Sequence, residues 1–257
     1  MAAAATAPAR APRSEGGPEL ADAMLSVSGL VAGYGRLPVL HDISFSIAPG
    51  SLTTIIGPNG AGKTTLTKAI VHIVDIMGGA IVFEGRTISA MPAHQIIPLG
   101  IGYVPQSGNV FPTLTVDENL EISSNLVPRA RRAEEIEKVY ERFPRLRERR
   151  RQRGQSLSGG ERQMLAIGSA LLAAPKLLIL DEPVTGLSPQ LTDEVTESIV
   201  AINRAGTTVL WVVEENPQQV IEHADWVCVM DGGAIRISKP AAEILATENL
   251  RELFLGI

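Results

Sequence analysis

Gly57-Pro58-Asn59-Gly60-Ala61-Gly62-Lys63-Thr64 carries the spacing G-x-x-x-x-G-K-[ST], and Thr65 follows it. An apolar run, Leu52-Thr53-Thr54-Ile55-Ile56, leads straight into the first glycine, and a helix-periodic segment follows the lysine. This arrangement suits the holding of a polyphosphate. Glycines let successive backbone N–H groups turn toward an anion, and a helix N-terminus adds positive partial charge. Lys63 is then in reach of the β- and γ-phosphates, and the Thr64 hydroxyl is a ligand for Mg²⁺. The competing reading is a glycine-rich turn that binds nothing. A chance match in a chain of this length is on the order of 1% at average composition, and the strand–loop–helix context lowers it further.

A second set of chemical groups ends another apolar run. Leu177-Leu178-Ile179-Leu180 is followed by Asp181-Glu182. Alone, the pair reads equally well as an ordinary turn after a parallel strand. Beside a phosphate loop, Asp181 suits the Mg²⁺ shell and Glu182 suits the polarising of an attacking water. Adjacent carboxylates at a strand end point in different directions, so they can divide these roles. A third element, Leu157-Ser158-Gly159-Gly160-Glu161-Arg162-Gln163, precedes a long apolar helix. Ser158-x-x-Glu161 fits a capping box, which would start a helix anyway. A capped helix opening on two glycines is also an anion site. A chain with one phosphate loop has no need of a second for the same γ-phosphate, so this turn is expected to serve a nucleotide bound by another subunit.

The surrounding pattern indicates how these groups are positioned. Leu25-Ser26-Val27-Ser28 and Ile43-Ser44-Phe45-Ser46-Ile47 alternate apolar and polar, which predicts half-buried antiparallel strands. Lys63 to Val74 has helical periodicity, with Leu66, Ile70, Val71 and Ile73 on one side. Ile81-Val82-Phe83 before Glu84-Gly85 predicts a hairpin element, and Ile101–Val104 a short strand. From Thr115 to about Gly154 the pattern is helical and charged, and Arg145 to Arg153 is mostly basic. That basic run reads as a solvated helix face, with a contact to lipid headgroups or acidic partner loops as the alternative. From Leu157 onward helices and strands alternate: strands at Leu177–Leu180, Val209–Val213 and Val227–Met230, helices at Pro189–Ala205 and Pro217–Ala224. Asp231-Gly232-Gly233 is a hairpin turn signal. Such alternation implies a mostly parallel sheet covered on both faces.

Bulk properties narrow the class. The chain has 257 residues, 45% hydrophobic and 20% charged, enough for one well-buried α/β domain. A net charge of −5 gives no basic excess for a nucleic-acid partner. A single cysteine, Cys228, excludes an intrachain disulfide framework and lies in an apolar run. No stretch approaches the roughly 20 apolar residues that span a bilayer. Residues 1–23, rich in Ala, Pro and Gly, are expected to form a disordered tail; they carry Arg10 and Arg13 but no apolar h-region, against a secretory signal.

Gly57–Thr64, Leu157–Gln163 and Leu177–Glu182, in this order, resemble the nucleotide-binding domain of ABC ATPases. The resemblance covers roughly Leu25 to Ile257. It implies a P-loop NTPase (RecA-like) α/β core over residues 24–257, with an antiparallel β-subdomain and an inserted helical subdomain at about 115–157. It implies adenine stacking on Tyr34, and for Gln106 the Q-loop role, contacting Mg²⁺ or water and relaying to a membrane subunit. Thr64, Gln106 and Asp181 would then be the metal residues. Finer similarity is to the smaller, LivF-type ATP-binding subunit of branched-chain amino acid importers, carried by Leu114–Leu120, Phe143–Leu146, Gln163–Gly168, Gly186–Pro189 and the ending Phe254-Leu255-Gly256.

The resemblance implies Mg-ATP hydrolysis in a head-to-tail dimer with an identical or homologous ATPase. It also implies integral membrane permease subunits, an indirect solute-binding partner, no nucleic acid, and a place on the cytoplasmic face of the membrane. Two rival readings are a regulatory subunit with weak hydrolysis and a soluble, non-transport ABC ATPase. The sequence departs from the family at two places. Ser188 replaces the usual D-loop aspartate, and Glu215 stands where a switch histidine is usual; His223 falls on the following helix. A carboxylate about 4 Å from a γ-phosphate oxygen would cost roughly 4 kcal/mol per charge pair at an effective dielectric of about 20. Glu215 is therefore expected to be protonated, turned away or paired with a cation, or the site turns over slowly.

Overall fold

The computed structural model of the protein describes residues 23–214 and 217–246. Residues 1–22 of the tail expected at residues 1–23, Glu215 and the ending Phe254-Leu255-Gly256 lie outside the described residues.

The chain opens with an antiparallel layer. Strands β1 (Leu25–Tyr34), β2 (Leu37–Ile47), β4 (Asp75–Phe83) and β5 (Arg86–Thr87) pair in the order β2-β1-β4-β5. The sequence alternation located the first two but undercounted their length, because the irregular registers between Val27 and Gly33 break the period. The second layer is a six-stranded sheet in the order β10-β9-β3-β8-β7-β6. Its members are β3 (Leu52–Ile56), β6 (Ile101–Val104), β7 (Leu177–Asp181), β8 (Thr208–Val213), β9 (Trp226–Asp231) and β10 (Ala234–Pro240). All of its ladders are parallel except the β9–β10 hairpin, which turns at the expected Gly232-Gly233.

Period-2 alternation divides the six-stranded sheet between two cores. Leu178, Leu180, Val209, Trp211, Val213, Val227 and Val229 belong to one cluster, with the helices that follow Thr115. Leu177, Ile179, Leu210, Val212, Cys228 and Met230 belong to the other, with the antiparallel layer and α1 (Lys63–Ile70). A strand buried on both faces needs apolar side chains at successive positions, which is why these runs read as continuous rather than alternating. Cys228 lies in this core with its thiol pushed up to about 11 by burial.

Helix α1 ends sooner than its periodicity suggests. His72 takes a left-handed conformation at φ 55°, and the Ile73 and His72 N–H groups bond back to the carbonyls of Lys68 and Ala69. This double bond pattern closes a helix end. Ile73, expected on the buried face, is therefore 55% exposed. A short helix, α2 (Ala93–Ile96), precedes β6.

Between Thr115 and Leu157 lie α3 (Val116–Ser123), α4 (Arg132–Arg142) and α5 (Pro144–Glu148). The basic run that follows Phe143 is engaged within the chain more than its sequence suggested. Arg145 pairs with Glu194 at 3.0 Å, Arg147 with Glu137 at 2.5 Å, Arg150 with Asp117 at 3.2 Å, and Arg149 with Glu161. Exposed pairs of this kind contribute little stability singly, but they join the helices to one another.

Helix α6 (Gly159–Leu171) starts from the expected capping box. The Glu161 N–H donates to Ser158 Oγ at 3.3 Å, and the Ser158 N–H donates to Glu161 Oε2 at 2.9 Å. Two glycines in the first turn are poor helix formers, so the cap carries unusual weight. Ser158→Ala is expected to lower the unfolding free energy by about 1 kcal/mol, read as a shift of the urea midpoint at constant m-value. Helices α7 (Pro189–Arg204), α8 (Pro217–Ile221) and α9 (Ala241–Leu245) complete the described chain.

Candidate functional site

The phosphate-type loop joins β3 to α1, and its shape depends on residues without a Cβ. A side chain on Gly57 would place a Cβ 2.1 Å from the Met230 carbonyl oxygen. Gly62 stands at φ 95°, in the left-handed region, immediately before the helix. Lys63 is 4% exposed, and its ammonium donates to the carbonyls of Gly57 at 2.7 Å and Pro58 at 3.1 Å. The lysine is thus held over its own loop by neutral acceptors. Coulomb attraction favours its transfer to an anion arriving at that place.

Beneath the loop, Asp181 ends β7. Thr64 Oγ1 donates to Asp181 Oδ1 at 3.1 Å, and Thr67 Oγ1 lies 3.2 Å from Oδ2. Burial raises the Asp181 pKa, and the two threonine hydroxyls work against that rise. A carboxylate beside a threonine hydroxyl is a hard-oxygen donor set, the chemistry that suits Mg²⁺.

Glu182 takes a left-handed backbone at φ 51°, uncommon for a residue with a side chain. Its N–H donates to the Val212 carbonyl at 3.0 Å. Its carboxylate accepts from Gln106 Nε2 at 2.6 Å and from Thr185 Oγ1 at 3.4 Å, both on Oε2. Burial pushes the Glu182 carboxyl up to about 7, the Glu214 carboxyl beside it adds to the rise, and the Lys63 ammonium opposes it.

A cavity of about 270 Å³ is lined by many of these groups, although Gly57, Pro58 and Asp181 are not among its lining residues. Tyr34, Asn59, Gly60, Ala61, Gly62, Lys63, Thr64, Thr65, Gln106 and Glu182 of the sequence-selected residues all line it. Tyr34 stands 50% exposed at its rim, and the neighbouring Gly35 N–H is anchored by Asp75 Oδ2 at 2.8 Å. None of Ser158, Gly159, Gly160 and Glu161 is among the lining residues.

Thr67, Thr185 and Glu214 escaped the sequence reading. Thr67 supports Asp181, and its signal was its place three residues after Thr64 on one helix face. Glu214 lines the cavity immediately after β8. Its signal was the strand period: Leu210 and Val212 face the α1 side, so Glu214 continues that face. The residue singled out there, Glu215, is outside the described residues.

The comparisons with known proteins agree with this geometry. Residues 40–185 match the family described as ABC transporter. BraG of Pseudomonas aeruginosa, a high-affinity branched-chain amino acid transport ATP-binding protein, is 39% identical over 91% of this chain and 100% of its own length. LivF of Archaeoglobus fulgidus, a probable branched-chain amino acid transport ATP-binding protein, is 36% identical over 91% of this chain and 99% of its own. Among solved structures, MJ1267, an ATP-binding cassette of an ABC transporter, superposes with a TM-score of 0.80 at 26% identity, over 90% of this chain and 98% of that one. With the loop, the acidic strand end and the capped glycine turn in place, the chain belongs to the ABC transporter family, as one of its ATP-binding, ATP-hydrolysing subunits.

Proposed function

We propose that this subunit binds Mg-ATP in the β3–α1 cavity and hydrolyses it within a head-to-tail dimer, driving import of branched-chain amino acids through separate membrane chains. The observation that carries the reading is the gathering of Lys63, Gln106 and Glu182 around one cavity that the Ser158 turn does not line. In that reading Tyr34 stacks on adenine, and the backbone of Gly57 to Thr65 holds the phosphates. Thr64 and Asp181, with Gln106 beside them, hold Mg²⁺, whose part is to neutralise charge developing on the phosphates. Glu182 takes the proton of the attacking water, and Gln106 orients its carboxylate. The Ser158-Gly159-Gly160-Glu161 turn closes over the nucleotide of a partner ATPase, identical or homologous.

The same reading assigns residues 24–257 to one nucleotide-binding domain, with its helical subdomain at about 115–157. No helix among the described residues is long and apolar enough to cross a membrane. Peripheral docking on the cytoplasmic face, against permease chains served by a solute-binding protein, fits that feature. Phe111, Ile122 and Leu126, which follow Gln106 in the chain, are each more than 40% exposed and offer apolar surface for such a contact. The branched-chain cargo draws on the likeness to BraG and LivF. The lipopolysaccharide export protein LptB of Haemophilus influenzae, at 33% identity, supports a different cargo less well.

Purification of the tagged subunit from its native membranes is expected to bring down polytopic membrane chains. Reconstituted in vesicles with its solute-binding partner, that complex is expected to take up leucine, isoleucine or valine only when ATP faces this subunit. ATPase activity stimulated by a lipopolysaccharide instead, or no co-purifying membrane chain, would refute the import assignment.

A further inference from the structure

Tyr103 lies in β6 opposite Ile179 of β7, so Asp181 is the next residue of β7 on the same face. Its hydroxyl is shut off from solvent and forms no hydrogen bond of good geometry, although two polar groups are within bonding reach. The polar groups beside it are the Thr67 hydroxyl and the Asp181 carboxylate. These neighbours are short of hydrogens. Thr67 Oγ1 lies 2.9 Å from the Thr64 carbonyl and 3.2 Å from Asp181 Oδ2, yet a hydroxyl has one hydrogen to give. Whichever acceptor Thr67 serves, the other lacks it, while Tyr103 holds an uncommitted hydrogen alongside. A buried hydroxyl left unpaired is costly, so the three groups have a shared interest in one arrangement.

We propose that Tyr103 is a positioning residue of the metal site: its hydroxyl donates to Asp181 while Thr67 turns to the Thr64 carbonyl, fixing the carboxylate in the rotamer that presents oxygen to a divalent cation. The proposal rests on the metal role assigned to Asp181 above. The phenol O–H has one hydrogen to donate, and Asp181 offers only acceptors. The ring of Tyr103 also packs against the core around α1, so the rival explanation is packing alone.

Tyr103→Phe separates the two, because it keeps the ring and removes the oxygen. Mn²⁺ serves as the probe, counted by electron paramagnetic resonance on the ADP-loaded protein. The variant is expected to bind Mn²⁺ about three- to tenfold more weakly. Its ADP affinity in EDTA should stay within about twofold. Unchanged Mn²⁺ affinity would overturn the proposal, as would an equal loss of ADP affinity in EDTA. Asp181→Asn distinguishes the failures. If that variant leaves Mn²⁺ binding intact, the metal role of Asp181 falls and Tyr103 with it; if it abolishes binding while Tyr103→Phe does not weaken it, only the Tyr103 proposal falls.

Discussion

Glu182→Gln is expected to lower steady-state ATP turnover by about two to four orders of magnitude, with Mg-ATP affinity retained. The amide keeps the shape of the carboxyl but cannot accept a proton from water. Its neighbours stay in place, because Gln106 and Thr185 can still donate to the remaining carbonyl oxygen. Phosphate release and equilibrium binding of a fluorescent nucleotide measure the two halves of the expectation. Phosphate release at the wild-type rate would take the base role away from Glu182.

The pH dependence follows from the environment of the same carboxyl. Its folded-state pKa is raised from 4.5 to about 7, with burial as the largest cause and Glu214 next. A base must be ionised, so wild-type turnover is expected to fall as pH drops below about 7, with that limb absent from the residual rate of Glu182→Gln. Stability runs the other way. For a raised pKa, the contribution is fully present below the unfolded value of about 4.5 and is lost as pH rises through about 7. The melting temperature of Glu182→Gln relative to wild type is thus expected to rise between pH 5 and pH 8. A difference that is constant across that window would contradict the assigned environment.

Lys63→Ala is expected to weaken Mg-ATP binding by about two to three orders of magnitude, the loss of one or two charge-assisted hydrogen bonds at roughly 1.5–3 kcal/mol each. The ammonium is already inside the loop, held by the Gly57 and Pro58 carbonyls at 2.7 and 3.1 Å. It therefore requires little rearrangement to meet a triphosphate. Lys63→Arg is not expected to restore affinity, since a planar guanidinium does not replace a compact ammonium between two carbonyls. Isothermal titration with ATP reads the effect, and a Kd within threefold of wild type for Lys63→Ala would remove the lysine from phosphate binding. The melting temperature serves as the control: the change removes a mostly buried cation along with its two bonds, so these effects oppose each other.

Much of this site was legible in the sequence because its determinants are local. The turn from β3 into α1 is set by glycines within eight residues, and a backbone able to wrap an anion follows from those positions alone. The cap of α6 is equally local, since Ser158 and Glu161 satisfy each other's N–H groups across three residues. The buried strand ending in Asp181-Glu182 was visible because a run apolar at every position fits a strand buried on both faces. The Gly232-Gly233 turn between β9 and β10 belongs to the same class of signal.

Other features depended on which distant segments meet. The pairing of β3 with β8 and β9, and of β7 with β6 and β8, joins residues far apart in the chain. Local propensity carries no term for such meetings. Ile73 has the right spacing for a buried helix face, but the left-handed turn at His72 ended α1 first and left it in solvent. The arginines after Phe143 read as a solvated helix face, yet Asp117, Glu137, Glu161 and Glu194 reach them from four other helices. Nothing in the local sequence singled out Glu214 or Tyr103; packing placed one beside Glu182 and the other beside Asp181. The sequence by itself determined the chemistry available, because glycine spacing, a lysine, a threonine and two carboxylates act through local geometry. Only the tertiary structure decided which of those groups share a cavity and which neighbours tune them, because burial and electrostatic coupling are properties of the assembled neighbourhood.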